Sequence, residues 1–277
     1  MRIDSHHHFW NYTPAEYGWL GGPMAGLQRD FGPEDLKPLI DANGIDAVIS
    51  VEARQSVNET AFLLNHACQN PWIAGVIGYV QLEATDLRAS LERFGQSRHF
   101  RGVRKVLQGQ PEGSMRGDDF NRGVAHLRHF GLTYDILIYA RQLPEAVELV
   151  DRHPNQIFVL DHLAKPSIED GGYMPWADDI RRMAERPNVY CKLSGLVTEA
   201  DWQSWTPALL QPYFDTALDA FGPRRLMFGS DWPVCTVASD YGRWVDVVKA
   251  WTAPLGDAER ARLWGGTAVE AYALKDL

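Results

Sequence analysis

Short runs of apolar and β-branched residues recur along the chain at residues 47–51, 73–80, 102–107, 133–139, 156–161, 188–193 and 225–228, and residues 2–4 begin the series. Each run has the length of a strand, and the stretches between them carry helical periodicity, so the pattern predicts βαβ units and a parallel sheet. Ser56-x-x-Glu59 has the form of a capping box, ahead of Ala61, Leu64, Ala67 and Cys68 on one helical face. In the fifth helix Pro144 stands at the start, Ala146, Val147 and Val150 form the apolar stripe, and His153-Pro154 ends it. Further on, Phe214, Leu218 and Phe221 share a face before Gly222-Pro223 stops the helix. Thr267-x-x-Glu270 repeats the capping-box form at the opening of a short final helix.

Eight strands alternating with helices are what a (β/α)8 TIM barrel needs, and 277 residues suffice for one such domain spanning 1–277, with a C-terminal helical extension. An open doubly wound sheet shows the same alternation, but the first strand runs into Asp4-Ser5-His6-His7-His8 where a glycine-rich dinucleotide fingerprint would stand. The chain is 45% hydrophobic and 23% charged, which suits an ordinary globular protein and excludes a disordered one. Its 27 basic and 36 acidic residues give a net charge of -9 with no basic cluster, so nucleic acid is not an expected partner. No apolar run approaches the ~20 residues of a membrane helix, and the opening Met1-Arg2-Ile3-Asp4 lacks a signal peptide's apolar core, so the expected location is the cytoplasm. Cys68, Cys191 and Cys235 are odd in number and widely spaced, and are expected to be buried reduced thiols.

In a barrel the reacting groups project from the C-terminal ends of strands. Three ends carry polar residues that call for an explanation: His6-His7-His8 after the first, Asp161-His162 after the sixth, and Ser230-Asp231-Trp232 after the eighth. Strand residues alternate faces, so His6 and His8 share a side and His7 faces away. His162 and Asp231 bring a third imidazole and a carboxylate to the same mouth, a donor set that suits one divalent ion, zinc above all. Such an ion lowers the pKa of a bound water, while Asp231 takes its proton and later returns one to the leaving group. Three histidines near a terminus can also be a tag remnant, but these lie within a strand pattern. Alone, His162 would read as a core histidine and Asp231 as a helix cap.

At these positions the chain resembles the amidohydrolase superfamily, in the amidohydrolase-related branch that contains sugar and aromatic lactonases. The resemblance runs over essentially the whole length. Its strongest elements are Ile3-Asp4-Ser5-His6-His7-His8-Phe9-Trp10, Val159-Leu160-Asp161-His162-Leu163-Ala164-Lys165-Pro166, Lys192-Leu193-Ser194-Gly195 and Met227-Phe228-Gly229-Ser230-Asp231-Trp232-Pro233. The superfamily's His-x-His falls on His6 and His8, its sixth-strand histidine on His162 and its eighth-strand aspartate on Asp231. The fifth strand ends Ile136-Leu137-Ile138-Tyr139 without the histidine or bridging lysine of two-metal members, which implies one metal at most. Thr267 stands where many relatives carry asparagine.

The activity implied is hydrolysis of a sugar (aldono-)lactone such as L-fucono-lactone or L-rhamnono-lactone to the aldonate, in carbohydrate catabolism. An ester carbonyl is electrophilic enough for a metal-independent route as well, in which Asp231 activates water directly. The expected partner is a small-molecule sugar lactone, with no membrane and the oligomeric state open. The resemblance favours Arg104 and Lys165 for binding the substrate's hydroxyls and the developing carboxylate, with Arg54 as a further candidate. Trp232 on one side, and Trp10, Tyr12, Tyr17 and Trp19 of the first loop on the other, are expected to stack on the sugar ring. Two other chemistries use this barrel. Metal-dependent decarboxylases carry an additional central histidine with no counterpart here, and aromatic dicarboxylate lactonases need a denser arginine cluster than Arg54 and Arg104 provide.

Overall fold

The computed structural model describes residues 1–274. Among them the predicted runs form eight strands, β1 (Ile3–His7), β2 (Ala47–Val51), β3 (Ile73–Gly78), β4 (Phe100–Val106), β5 (Thr133–Leu137), β6 (Phe158–Leu160), β7 (Val189–Leu193) and β8 (Leu226–Phe228), hydrogen-bonded in chain order. All neighbouring pairs are parallel. The helices α1 (Pro33–Asn43), α2 (Val57–Gln69), α3 (Leu87–Phe94), α4 (Asp118–Leu127), α5 (Leu143–Arg152), α6 (Trp176–Ala184) and α7 (Pro207–Phe221) connect successive strands, and α8 (Tyr241–Thr252) follows β8. The sheet closes just past its last strand. His7 pairs in parallel with Trp232, the Asp231 N–H donates to the His6 carbonyl at 2.8 Å, and the His8 N–H donates to the Trp232 carbonyl at 2.7 Å. This is the expected (β/α)8 barrel, and among the described residues no helix is long and apolar enough to cross a membrane.

Two apolar clusters hold it together. The larger lies between strands and helices, and a smaller one, including Ile3, Ala47, Ala74, Val159 and Met227, is joined by Ala268, Ala271, Tyr272 and Leu274 from the end of the chain. The expected C-terminal extension is thus α9 (Asp257–Ala261), a π-turn, and α10 (Thr267–Ala271), which packs against the beginnings of the strands. In β1 the register against β2 shifts between Asp4 and His7. The irregularity lets Asp4 bond Tyr241 of α8 while His6 and His8 turn into the barrel mouth.

Local details depart from the sequence reading in three places. Ser56 does cap α2 by accepting from Asn58 N–H, but Glu59 does not reach back; it lies fully buried, accepting from the Ala53 N–H and the Arg54 side chain. The inner face of α2 is accordingly Glu59, Thr60, Leu63 and Ala67, one step around from the expected stripe, and Cys68 is exposed while Cys191 and Cys235 are buried. Thr267 is inside α10 and not ahead of it: its hydroxyl donates to the Pro223 and Arg224 carbonyls, and Glu270 bonds Tyr190 and Arg262. For both expected capping boxes a tertiary partner outcompetes the local cap.

Gly123 on α4 packs closely against Leu82 of the loop that follows β3. A Cβ there would stand 2.2 Å from the Leu82 carbonyl oxygen, a backbone atom that can yield only if the loop moves. Gly123→Ala is expected to lower stability by about 1–3 kcal/mol through overpacking, despite alanine's better helix propensity. A urea midpoint at or above the parent's would refute this packing argument.

Candidate active site

The closure of the sheet puts residues from the two ends of the chain side by side. His6 and His8 project from β1 and its continuation, and their Nε2 atoms lie 3.2 Å apart. Asp231, held by its backbone bond to His6, sets its Oδ1 3.4 Å from His8 Nε2 and 3.7 Å from His6 Nε2. His162, just past β6, completes the group with its Nε2 3.8 Å from the same oxygen. All four side chains are buried.

The chain bends sharply to achieve this. His162, Leu163, Ala164 and Lys165 take φ of 53°, 53°, 60° and 50°, a left-handed turn that costs non-glycine residues about 1–2 kcal/mol each. Asp231 is also left-handed, at φ 60°. The turn aims both His162 and Lys165 into the mouth of the barrel. Gly195 supports it from β7's end: at φ 68° its missing Cβ would sit 2.6 Å from His162 Nδ1, so only glycine leaves the ring its place. Next to it, Ser194 Oγ lies 2.8 Å from that same nitrogen.

These outer contacts decide which nitrogen faces the site. The Val51 carbonyl, 2.8 Å from His8 Nδ1, can only accept, so His8 carries its proton there and presents the Nε2 lone pair. Burial holds the His162 imidazole down to about 4 against the opposing pull of Asp231 and Asp161. Burial, reinforced by Lys192, holds His6 well below its ordinary 6.5. The His6 and His162 rings are therefore neutral near pH 7. For Asp231, burial alone would raise the carboxyl, but His162, His8 and Lys165 outweigh it, so the group stays ionised.

Neutral imidazoles and an ionised carboxylate at these spacings fit a divalent metal. Ligand bonds of about 2.0–2.1 Å in a tetrahedral site imply donor separations near 3.3 Å. His6, His8 and Asp231 form one group of donors within 4.8 Å of one another, and His6, Asp161 and His162 form a second.

Around this centre lies a layer of buried charge that the strand-end reading overlooked. Lys192, inside β7, donates to Asp135 Oδ2 at 2.6 Å, lies 2.9 Å from Asp161 Oδ1, and sits 3.2 Å from His6 Nδ1. Arg104, inside β4, donates to Glu52 Oε1 at 2.8 Å and Asp161 Oδ2 at 3.0 Å, and its Nη1 lies 3.3 Å from His6 Nε2. Burial pushes the Asp161 carboxyl up, but Lys192, His6 and Arg104 more than reverse it, and the group sits well below the ordinary carboxylate range. Burial raises Asp135, which Lys192 and the Tyr272 hydroxyl only partly offset. The available signal was a charged residue in the middle of an apolar strand, as at Asp135 and Lys192.

A cavity of about 380 Å³ opens above the centre, and His8, His162, Asp231, Arg54, Arg104 and Lys165 all line it. Each of its cations has a carboxylate partner: Arg54 pairs with Glu16 and Glu59, Arg104 with Glu52 and Asp161, and Lys165 with Glu199 at 3.3 Å. Gln108, Val106 and Leu137 add wall, and the first loop contributes Glu16, Trp19 and Met24. Trp19 is the only one of the four expected loop aromatics among the lining residues described. Trp10 and Tyr17 are buried against each other with ring centres 5.9 Å apart, and Tyr12 packs on Tyr17. Trp232 is likewise placed away from the cavity, buried between Phe9 and Phe31.

A family model described as Amidohydrolase matches residues 3–274. The chain is 43% identical to L-fucono-1,5-lactonase of Burkholderia multivorans over 288 residues, covering 100% of this chain and 97% of the relative. It is 36% identical to L-fucono-1,5-lactonase of Burkholderia ambifaria, over 98% of this chain and 95% of that one. Among solved structures, an amidohydrolase from Burkholderia multivorans with bound zinc superposes with a TM-score of 0.94 at 44% identity, covering 99% of both chains.

The lowered imidazoles make the metal-free protein acid-sensitive. Below pH 6.5 the unfolded chain takes up protons that folded His6 and His162 refuse, His162 until about pH 4. Stability should therefore fall with pH across that window, by up to about 1.4 kcal/mol per pH unit for each imidazole. Urea midpoints measured from pH 7.5 to 4.5 should decline less steeply for His162→Gln than for the parent, and parallel slopes would remove His162 from the account.

Proposed function

Because the chain belongs to the amidohydrolase family, matched over residues 3–274, we propose that it hydrolyses a neutral sugar lactone to the aldonate within that cavity. The observation that carries the reading is the meeting of three imidazole Nε2 atoms around one Asp231 carboxylate oxygen at the base of a substrate-sized pocket. The names of the two Burkholderia relatives support L-fucono-1,5-lactone as the first substrate to try.

Asp231 is the base. Ionised and buried, it accepts a proton from water as the water oxygen bonds to the lactone carbonyl carbon, and it delivers that proton to the ring oxygen as the ring C–O bond breaks. The product acid then ionises. His6, His8, His162 and Asp231 would hold a divalent ion, for which we favour zinc, and the ion would supply Lewis acidity and lower the pKa of water. His162, fixed by Ser194, and the cationic Arg104 edge the carbonyl's side of the pocket and orient the ester there. Arg54 and Lys165, with Gln108, offer polar atoms to the sugar hydroxyls, and Trp19 a face to the ring.

The pairing of every lining cation bears on substrate class. A dicarboxylate lactone or an aromatic acid needs unpaired arginines to replace the water it loses, whereas a neutral polyol needs hydrogen-bonding groups held in place. This favours the aldono-lactone over the aromatic dicarboxylate and decarboxylase alternatives. We place the enzyme in carbohydrate catabolism on the strength of its relatives' named activity, with residues 1–277 acting as one barrel domain around a single eight-stranded sheet, and expect it in the cytoplasm.

Asp231→Asn keeps the shape and removes the base, so lactone hydrolysis should fall by about 10²- to 10⁴-fold with the melting curve retained. A pH-indicator assay over aldono-lactones and pyrone dicarboxylates reads the substrate class directly. Turnover of the dicarboxylates but not the aldono-lactones would sink the proposal. For the ion, dialysis against chelator should remove zinc detectable by elemental analysis and lower the rate; full activity in metal-free protein would assign the reaction to Asp231 and water alone.

A further inference from the structure

His6 is flanked by two cations, one at each ring nitrogen. Lys192 Nζ lies 3.2 Å from Nδ1, and Arg104 Nη1 lies 3.3 Å from Nε2. A neutral imidazole has one lone pair, and ammonium and guanidinium groups can only donate. A metal ion at this centre needs that lone pair on Nε2, the atom Arg104 faces. The guanidinium is not there by chance: Glu52 Oε1 and Asp161 Oδ2 hold its Nε and Nη1, the Glu52 carbonyl accepts from Nη2, and the group is buried.

We propose that Arg104 is a built-in rival of the metal, its guanidinium and the ion excluding each other at His6 Nε2. In the metal-free protein Arg104 donates to that nitrogen and keeps the ring aimed at Asp231, so the centre holds its shape without an ion. Metal binding breaks this contact and leaves the guanidinium to Glu52 and Asp161. The ion is therefore held more weakly than a site of three imidazoles and a carboxylate otherwise would hold it. The inference concerns affinity alone and stands apart from the choice of lactone.

The test is a Zn²⁺ titration of the full-length protein against a chromophoric chelator. Arg104→Met alone would strand Glu52, so the variant of choice is the charge-neutral pair Arg104→Met with Glu52→Gln, with Arg104→Lys as the single change. Both should bind Zn²⁺ about 10- to 100-fold more tightly than the parent, the range over which groups touching the ligands tune metal affinity. Lys165→Met alters a lining cation that touches no ligand atom, and should change affinity far less. Unchanged affinity in both Arg104 variants overturns the proposal, as does equal tightening in Lys165→Met, which would make the effect one of any change to the cavity's cations and not of the contact at His6. Should the variants not fold, crystals of the parent soaked in Zn²⁺ decide: the guanidinium must leave hydrogen-bonding distance of His6 Nε2, and its persistence there beside bound zinc overturns the rivalry.

Discussion

The peptide N–H of Asp231 donates to the carbonyl of His6, and this contact both closes the barrel and sets the Asp231 carboxylate beside the imidazoles of His6 and His8. Backbone hydrogen bonds across a parallel seam fix the two chains to within a few tenths of an ångström. A side chain at the last position of the seam inherits that accuracy. The partners are 225 positions apart in the sequence, yet their relative placement needs no flexible loop. His162 lacks such a bond to β1, and there the structure uses a different device: a left-handed turn of four residues, with Gly195 and Ser194 pressed against the ring.

Placing ions inside a barrel is costly unless each is paired and hydrogen-bonded. Asp161 meets that demand for two cations at once, facing Arg104 with one oxygen and Lys192 with the other. Glu52 and Asp135 take the outer sides of those cations, and Tyr272, from the end of the chain, completes the Asp135 carboxylate. The layer thus links the ends of β2 and β6 with β4, β5, β7 and the C-terminal segment beneath the candidate site. Its charge also acts upward: Lys192 helps keep His6 neutral, and Arg104 reaches its Nε2. Fold stability and the electrostatics of the site rest here on the same side chains.

Much of this was legible in the sequence because it rests on periodicity. The eight apolar runs fall on the eight strands with boundary shifts of a few residues, and the alternation along β1 puts His6 and His8 on one side. The strand-end residues His162 and Asp231 stand out because a polar residue after an apolar run has no packing reason to be there. What the sequence hid depends on distant partners. Glu59 has the local pattern of a capping residue, but the orphan Ala53 N–H and the Arg54 side chain claim it. Trp232 has the look of a sugar-stacking platform beside the reacting aspartate, yet the seam turns it outward between Phe9 and Phe31. Lys192 and Asp135 were visible as charges interrupting strands, but their mutual pairing across the barrel appears only once β5 and β7 are brought to one interior.

The paired state of the cavity's cations has a consequence for the reaction cycle as well as for substrate choice. The lactone enters neutral, and the field it meets is set by Asp231 and by cations whose charge Glu16, Glu59, Glu52, Asp161 and Glu199 already balance. In the metal-free route of the proposed reaction, ring opening would create a carboxylate at the base of the pocket, beside an Asp231 that is again ionised once its proton has gone to the leaving oxygen. Like charges in a partly buried site repel more strongly than they do in water. A site with free arginines would hold that product and slow its own turnover. Without an ion at the centre, this one has its positive charge balanced by its own carboxylates, so the step that makes the anion also weakens its hold on the pocket.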